Sequence, residues 1–372
     1  MSCGRQRKRL GATVWAQGRG LRPLRRRRRG GAQRLSRWSR VLAQRASSLC
    51  SAQQVVRPPA LREGDCIGLA APASGFREED FSAGIRVLQE LGFRVHYTPR
   101  VFERYRYLAG NDAARAAELQ ALFADPTIQA IFCCRGGYGS QRLLPYLDTA
   151  VIRANPKIFM GSSDLTTLLL YLYSQCQFVT LHGPVVAGSL PGLDAVVLRQ
   201  LKGLLTGDAL AMQPPAERLM ELTVLRPGSA TGRLLGGCLS LLVCAVGTPF
   251  QPQTQDTILF LEDRGERLYA IDRMLTSLKL AGVLQGVHGL VFGRIERVEA
   301  DSHLPYGVED VILDVLGDLG IPILYGFPAD HGPQPLTLPF GVRVAIREGQ
   351  LVLCESPVVG QDVAEGGTHA GA

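Results

Sequence analysis

Short apolar runs that alternate with amphipathic segments are the feature that most constrains the fold of this chain. Three runs are apolar enough to be buried strands: Cys66–Ala71, Ile128–Cys133 and Lys157–Met160. The intervening residues 80–91 and 111–123 carry apolar side chains at helical spacing, and helix-ending residues follow each of them. Strands that alternate with helices favour an α/β fold, with a parallel sheet covered on both faces.

A second alternating set predicts a second domain. It begins with the strand Thr257–Leu261 and ends in a hairpin formed by Val342–Arg347 and Gln350–Cys354. The stretch between the two sets is rich in Pro, Gly and Leu and has a weaker pattern. We therefore predict a basic, disordered extension over 1–60, an N-terminal α/β domain over 61–190, a connecting region over 191–232, a C-terminal domain over 233–357 and a disordered tail over 358–372.

The formal charge of +8 belongs to the N-terminal segment and not to the body. Residues 1–62 contain 17 of the 41 Lys and Arg residues and no Asp or Glu, so the other 310 residues carry 24 basic and 33 acidic side chains, a net charge of −9. The body is therefore not expected to bind nucleic acid. Three interpretations of the basic segment stay open: a non-native translational start, an Arg-rich transit peptide, or an arm that binds nucleic acid or anionic membrane. The predicted location is the cytoplasm, or an organelle if the segment is a transit peptide.

Cysteine usage argues against a zinc protein, and the lengths of the apolar runs argue against a membrane-spanning protein. The nine cysteines form no CxxC pair and lie mostly in apolar runs, which is typical of buried free thiols in a reducing compartment. These spacings give little support to a zinc site. No run reaches the roughly 18 apolar residues of a membrane-spanning helix, so no transmembrane segment is expected.

The segment Gly161-Ser-Ser-Asp164 lies between a predicted strand and a predicted helix. A serine on such a turn projects from the sheet edge, beside the free N–H groups and positive dipole end of the helix. A nucleophilic serine needs this arrangement because its tetrahedral intermediate carries an oxyanion. On this feature alone, a plain capping role for Ser163 or Asp164 is the favoured interpretation.

A glycine-rich loop, Cys134–Ser140, follows another predicted strand. Gly136 and Gly137 allow the backbone to approach a ligand, and its N–H groups are suited to an oxyanion or other anion. Arg135 is a candidate to bind a substrate carboxylate. A tight turn before a helix is the alternative, and the two common phosphate-loop motifs are not matched.

Several acids and histidines are candidates for the remaining groups of a serine hydrolase. Glu262 follows an apolar strand, where a carboxylate can orient a histidine, and Asp263 and Glu266 are chemically adequate as well. The base candidates outside the tail are His96, His182, His288, His303 and His331. His331 stands beside Gly332-Pro333 in a predicted loop.

Taken in order, these segments resemble the LD-carboxypeptidases, the family of muramoyltetrapeptide carboxypeptidase and of the microcin-immunity peptidases. The resemblance spans residues 64–355, and its order and spacing are more specific than any single segment. The segments that carry it are Tyr107–Asp112, Arg135–Gly139, Gly161–Thr166, His182–Pro184, Gly236-Gly237, Gly247-Thr248, Leu261–Asp263, Tyr269–Arg273, Phe327–His331 and Leu338–Gly341.

This resemblance implies a catalytic triad in which Ser163 is the nucleophile, Glu262 the acid and His331 the base. It implies oxyanion donors in the backbone of Asp164 and Gly137, and it points to substrate contacts at Arg135, Gly136 and Tyr138. The implied fold is a flavodoxin-like, Rossmann-like N-terminal domain and a C-terminal α/β domain with mixed strands, with the site in the cleft between them. No metal or cofactor is expected.

The implied reaction releases D-Ala from a murein tetrapeptide in cytoplasmic peptidoglycan recycling, and the implied assembly is a homodimer. Two alternatives stay open: a microcin-immunity-type peptidase that cleaves an aminoacyl-nucleotide amide, and a catalytically inactive peptide-binding protein.

Three positions depart from the family pattern. Ser162 stands where an aromatic residue is usual, so Ser162 is the second candidate for the nucleophile. Cys238 replaces a common Asn and alters a hydrogen bond at the site. Asp330 replaces a usual Gly, and we expect its carboxylate either to raise the pKa of His331 or to draw the ring away from Glu262.

Overall fold

The computed structural model describes residues 55–209, 211, 213–296 and 305–360. These residues form two sheets with helices packed on them, so the predicted two-sheet α/β fold is confirmed. The predicted extension up to residue 54, the candidate base His303 and the tail from residue 361 lie outside the described residues.

The first sheet contains five parallel strands in the order β2-β1-β3-β4-β5, which is the order of a flavodoxin-like fold. The strands are β1 (Cys66–Ala70), β2 (Arg94–His96), β3 (Ala130–Cys133), β4 (Ile158–Gly161) and β5 (Thr180–His182). The helices of this half are α1 (Glu78–Glu90), α2 (Asp112–Ala124), α3 (Thr149–Arg153), α4 (Thr166–Tyr171) and α5 (Ala195–Thr206). Strands β1, β3 and β4 are buried at every position, which explains why they are continuous apolar runs in the sequence.

The second sheet has the order β13-β12-β7-β8-β9-β10-β6, in which β7 to β10 are parallel and the outer strands antiparallel. The strands from this part of the chain are β6 (Thr223–Arg226), β7 (Ala230–Cys238), β8 (Thr257–Arg264), β9 (Val287–Glu296), β10 (Ile323–Tyr325), β11 (Leu338–Phe340), β12 (Arg343–Arg347) and β13 (Gln350–Leu353). The helices are α6 (Leu239–Ala245), α7 (Leu268–Leu280) and α8 (Val308–Leu316). The hairpin expected near the C-terminus is present as β12 and β13.

One strand of the C-terminal half belongs to the first sheet. β11 pairs antiparallel with β5 and forms the edge of that sheet, where Pro339 is tolerated because an edge strand has one unpaired side. The chain then returns to the second sheet as β12. Residues 326–337, which we call the crossing loop, therefore run from the second sheet to the first. Strand β11 has only three residues, which is too little pattern for it to be predicted from the sequence.

Both ends of the predicted body lie closer to the chain termini than the sequence suggests. The backbone N–H of Val56 donates to Gln177 (2.7 Å), and that of Ala60 donates to Val359 (2.8 Å). Residues 55–60 and 358–360 are therefore bonded to the body, although their extended backbone has no amphipathic pattern. The predicted connecting region 191–232 contains α5 and β6, and β6 is an edge strand of the second sheet.

The described residues can be compared with the expectations of free thiols and of no transmembrane segment. The seven described cysteines are all free thiols, five of them buried and two, Cys244 and Cys354, exposed. Among the described helices, none is long and apolar enough to cross a membrane.

Candidate active site

The turn after β4 places Ser163 in an unusual backbone conformation. Strand β4 ends at Gly161, Ser162 is extended, and a 3₁₀ turn that leads into α4 begins at Ser163. Ser163 has φ of 61°, in the left-handed region that costs a residue with a side chain about 1–3 kcal/mol. Such strain is found where the surrounding structure must aim a side chain, and Ser163 lines the cavity between the two sheets. Ser162 lines it as well.

The glycine-rich loop lies directly against Ser163. A Cβ atom added to Gly136 would stand 3.0 Å from the Cβ and 3.4 Å from the Oγ of Ser163, so the loop approaches this serine at a distance suited to glycine. Gly137 has φ of 95°, and its N–H donates to no other described residue. The N–H of Asp164 lies in the first turn of the helix, where intrahelical acceptors are missing.

Buried polar side chains hold this loop in place from beneath. Oδ2 of Asp164 accepts a hydrogen bond from the N–H of Ser140 (2.8 Å), and the hydroxyl of Ser140 donates to the carbonyl of Asp164 (2.6 Å). Burial raises the pKa of Asp164, while the bonds from Ser140 oppose that rise. Arg115 is fully buried and donates to the carbonyl of Gly139 (3.1 Å) and to Asp112 (2.7 Å).

Sequence reasoning missed the supporting roles of Arg115 and Ser140. A usable signal existed for Arg115, because it shares the inner face of α2 with the apolar Leu119 and Leu122. A charged residue on such a face needs buried partners.

Glu262 and His331 form a hydrogen-bonded pair across the cavity floor. Nδ1 of His331 lies 2.6 Å from Oε2 of Glu262, whose side chain is completely buried. Burial raises the pKa of Glu262, although the hydrogen bond from His331 opposes this. For His331, burial alone would lower the pKa, but the hydrogen bond and negative charge of Glu262 outweigh it and raise the pKa.

The alternative acids have other partners. Asp263 accepts hydrogen bonds from the N–H groups of Ser240 (2.7 Å) and Arg264 (2.8 Å), so it caps α6 and does not contact His331. Glu266 lines the cavity, but no hydrogen bond joins it to His331 among the described contacts.

Asp330 does not compete with Glu262 for the His331 ring. Its carboxylate accepts from the N–H of Gly332 (2.8 Å) and from the backbone N–H (2.9 Å) and Nε (3.2 Å) of Arg294. The expectation that Asp330 draws the ring away from Glu262 is therefore wrong, because neighbouring donors occupy the carboxylate.

Gly293 on β9 makes room for this arrangement, and sequence reasoning overlooked it. A Cβ atom at Gly293 would stand 2.9 Å from the Cβ of Glu262 and 3.1 Å from that of Asp330. An isolated glycine inside a strand is the signal that could have found it.

The other candidate histidines lie elsewhere or are fully buried. His96 is exposed on β2, and Nδ1 of His288 bonds to the carbonyl of Thr231 (2.9 Å). His182 lines the cavity but is 2% exposed, with its Nε2 on the carbonyl of Ala329.

The cavity between the two sheets, which Ser163, Glu262 and His331 line, has a volume of about 940 Å³. Arg135, Gly136 and Gly137 line it from the first sheet, with Glu262 and His331 from the second half of the chain. Tyr138, a predicted substrate contact, lies outside the lining; its ring packs edge-on against Tyr107 at 5.5 Å, and half of the residue is exposed.

Two family models match the chain on either side of this cavity. The LD-carboxypeptidase N-terminal domain matches residues 67–183, and the LD-carboxypeptidase C-terminal domain matches residues 231–346. This chain belongs to the LD-carboxypeptidase family. The resemblance inferred from the order of the motifs is thus confirmed.

This chain aligns with known members of the LD-carboxypeptidase family over nearly their whole length. A putative carboxypeptidase of Streptomyces coelicolor is 39% identical, over 78% of this chain and 93% of its own. A probable murein peptide carboxypeptidase of Bacillus subtilis is 35% identical, over 83% and 96%. The solved structure of the microcin C7 self-immunity protein MccF in complex with glutamyl sulfamoyl guanosine superposes with a TM-score of 0.74 at 26% identity, covering 82% of this chain and 99% of that chain.

Cys238, another departure from the family pattern, also lines the cavity. Its Sγ lies 3.4 Å from both the hydroxyl of Ser240 and Oδ1 of Asp263, and its N–H donates to Oγ1 of Thr166 (3.1 Å). Burial raises the pKa of the thiol, so Cys238 presents a neutral group to the cavity that it lines.

Proposed function

We propose that this protein is a serine carboxypeptidase that hydrolyses an L,D-peptide bond and releases D-Ala from a murein tetrapeptide. The observation that carries the proposal is the meeting of two features in one cavity. One is Ser163 on its strained turn, and the other is the buried Glu262–His331 pair at 2.6 Å. Family membership and the similarity to the probable murein peptide carboxypeptidase of B. subtilis support the choice of substrate.

In the proposed mechanism, Glu262 fixes the imidazole tautomer. A carboxylate accepts the Nδ1 proton of His331, so Nε2 is left without a proton and can act as a base. His331 takes the hydroxyl proton of Ser163 as Oγ attacks the scissile carbonyl. The imidazolium then returns the proton to the nitrogen of the departing D-Ala, and a water molecule, activated in the same way, hydrolyses the acyl-enzyme.

The negative charge on the substrate oxygen needs donors that already point at it. We assign this role to the backbone N–H groups of Gly137, which lines the cavity with Ser163, and of Asp164, which follows Ser163 in the first turn of the helix. Ser140 and Arg115 hold the two backbone segments together, so the donors need little reorganisation during the reaction.

The free carboxylate of the terminal D-Ala requires a cation near the leaving group. Arg135 is exposed and lines the cavity, and one of its nitrogens donates to the carbonyl of Gly75 (2.9 Å). That bond holds the guanidinium at the cavity wall and leaves further N–H donors for a substrate carboxylate. A volume of about 940 Å³ is within the range that accommodates a short peptide.

The decisive experiment is to incubate the protein with murein tetrapeptide and to follow the loss of one D-Ala by mass spectrometry. The Ser163→Ala variant should lose at least about a thousandfold in kcat, because its nucleophile is gone. Ser162→Ala is the matched control and should retain most of the activity. If Ser163→Ala turns over normally, or only Ser162→Ala is inactive, the assignment of the nucleophile is wrong.

A microcin-immunity-type activity is the second candidate, since the MccF complex superposes over most of this chain. An aminoacyl-sulfamoyl nucleoside is therefore the competing substrate in the same assay. Cleavage of that compound with the murein peptide left intact would favour this candidate. Both tryptophans of the chain, Trp15 and Trp38, precede the matched family domains, so a tryptophan clamp for a nucleobase is not available within them.

A catalytically inactive peptide-binding protein is the candidate of another class. An Asp330 that drew the His331 ring away from Glu262 would favour this candidate, but the observed Glu262–His331 bond weighs against it. Covalent labelling of Ser163 by a fluorophosphonate would exclude it.

We further propose that the enzyme acts as a homodimer in cytoplasmic peptidoglycan recycling, as the family resemblance implies. Sedimentation velocity would test the dimer. Fractionation of the producing cells would test the location and would separate it from an organellar one.

A further inference from the structure

His182 is a buried histidine that the proposed mechanism does not use. It is the last residue of β5 and pairs in register with Gly161, two residues before Ser163. On its other side it pairs with Leu338 of β11, directly after the crossing loop. His182 therefore lies one strand away from the proposed nucleophile and beside the end of the loop that carries the proposed base.

The ring of His182 also reaches the middle of the crossing loop. Its Nε2 lies 3.0 Å from the carbonyl oxygen of Ala329, two residues before His331. Because a carbonyl oxygen can only accept, Nε2 carries the proton and Nδ1 does not. This hydrogen bond joins the sheet that carries Ser163 to the segment that carries His331.

Two aromatic rings fix the orientation of the His182 imidazole. It stacks on Phe340 of β11 at 5.5 Å and meets Phe260 of β8 edge-on at 5.4 Å. Phe260 is two residues before Glu262 on the same strand. The imidazole thus contacts or adjoins the elements that carry all three proposed catalytic groups.

His182 is unsuited to be a second base. Burial lowers its pKa to about 4, with the bond to Ala329 opposing that shift, so the ring is neutral at ordinary pH. Its Nδ1 is buried and has no hydrogen-bond partner among the described residues. The titratable and charged groups on the packed elements are Glu262, Asp263 and Arg264 on β8 and Asp330 and His331 on the crossing loop. The three carboxylates and His331 each have hydrogen-bond partners of their own.

We propose that His182 is a positioning residue, which donates to Ala329 and thereby holds the crossing loop so that His331 stays within reach of Ser163. The inference rests on the proposed function, because it concerns the same proton transfer. A misplacement of about 1 Å in such a pair can cost roughly a hundredfold in rate.

Three variants of the full chain separate the hydrogen bond from the ring. His182→Gln places an amide N–H near the position of Nε2, whereas His182→Asn places its amide near Nδ1. His182→Phe keeps an aromatic ring but has no donor. We expect His182→Gln to stay within about fivefold of the wild-type kcat, and the other two to lose at least about tenfold with little change in KM.

The pH profile supplies a readout that a loss of packing would not move. In the Phe and Asn variants, a displaced loop weakens the Glu262–His331 bond that raises the pKa of His331. The acid limb of kcat/KM should then move to lower pH. A wild-type profile and kcat in His182→Phe, or a His182→Gln as slow as His182→Phe, would overturn the proposal.

Gln200→Leu is the matched control for the same loop. The Gln200 side chain is buried, donates to the carbonyl of Thr337 (2.9 Å) and accepts from its N–H (3.1 Å), at the far end of the crossing loop. This variant should unfold at a lower temperature while its acid limb stays in place. A shift equal to that of His182→Phe would mean that general loosening is the cause, and would refute the role of His182.

Fluorophosphonate labelling of Ser163 keeps this proposal separate from the choice of substrate. A wild-type protein that labels but leaves murein tetrapeptide intact would refute the substrate, and the labelling rates of the variants would then decide the role of His182. We expect these rates to fall in the same order as kcat. Equal labelling rates in all variants would overturn the positioning role, and if His182→Phe fails to fold, the Gln and Asn pair gives the answer.

Discussion

At the scale of single residues, Glu262 and His331 determine when the proposed nucleophile can react. A general base must be neutral to accept a proton, so the pKa of His331 sets the lower pH limit of activity. Glu262 raises that pKa above the ordinary 6.5 of histidine. Activity should therefore be lost as the pH falls through a value above 6.5, and recovered as it rises.

Glu262→Gln tests this coupling because it removes the charge and keeps the side-chain size. Burial would then act on His331 without an opposing carboxylate, so its pKa falls and the acid limb of kcat/KM moves to lower pH. The plateau kcat should drop at least about a hundredfold, since the imidazolium loses its stabilising partner. Initial rates over the range from about pH 4.5 to 9 measure both effects.

Asp263→Asn is the control for that experiment. Its carboxylate is held by the backbone of Ser240 and Arg264, so its substitution should shift the acid limb less than Glu262→Gln does. An acid limb that stays in place in Glu262→Gln would contradict the assigned pair.

Asp330 offers a second test at this scale. Asp330→Asn should leave the acid limb unmoved, because the carboxylate bonds to Arg294 and Gly332 and not to His331. It should lower the free energy of unfolding by about 1–3 kcal/mol, since an amide NH₂ cannot accept from the Arg294 N–H groups. Urea unfolding and the pH–rate profile together check this, and a moved limb would restore direct coupling between Asp330 and His331.

At the scale of elements, β9 determines how closely Glu262 and the crossing loop can pack. The Cβ atoms of Glu262 and Asp330 both lie close to Gly293 on this strand. Its φ is not in the left-handed region, so the requirement at this position is space and not backbone freedom. Protein interiors yield little to an added methyl group, and the pair would have to move.

Gly293→Ala should therefore reduce kcat by at least about tenfold, because the added Cβ displaces Glu262. Gly289→Ala on the same strand is the matched control: its Cβ would meet the Cδ1 of Ile346 at 2.8 Å, away from the cavity. Both variants should lose about 1–3 kcal/mol of stability. If they lose the same activity, the effect of Gly293→Ala comes from stability and not from the position of Glu262.

The elements also show what the sequence can and cannot predict. The strand that leads to Ser163 was predictable because a strand buried on both faces is a continuous apolar run. β11 was not, because three residues including Pro339 encode no period, and its place beside β5 depends on long-range pairing. The partners of Asp330 were equally hidden, since Arg294 is 36 residues away in sequence.

At the scale of the whole molecule, the two halves are joined because a strand late in the chain, β11, pairs with the first sheet. β11 joins that sheet after the second is nearly complete, and the crossing loop before it carries His331. Residues near both ends of the described body also pair with each other, since the carbonyl of Val359 accepts from Ala60. The cavity is therefore built from segments that are far apart in sequence.

This arrangement predicts that residues 55–62 are part of the stable body. A chain of residues 63–372 should unfold at a lower urea concentration than a chain of residues 55–372, because its free energy of unfolding is lower by about 3–6 kcal/mol. It loses the backbone hydrogen bonds of Val56 to Gln177 and of Ala60 to Val359, each worth about 1 kcal/mol, and the burial of Leu61, worth about 2 kcal/mol. Equal unfolding midpoints for the two chains would mean that this segment adds nothing to the body. Comparison of kcat for the same pair would show whether the loss reaches the cavity; we expect the folded fraction of each chain to be equally active, because these contacts lie outside the cavity lining.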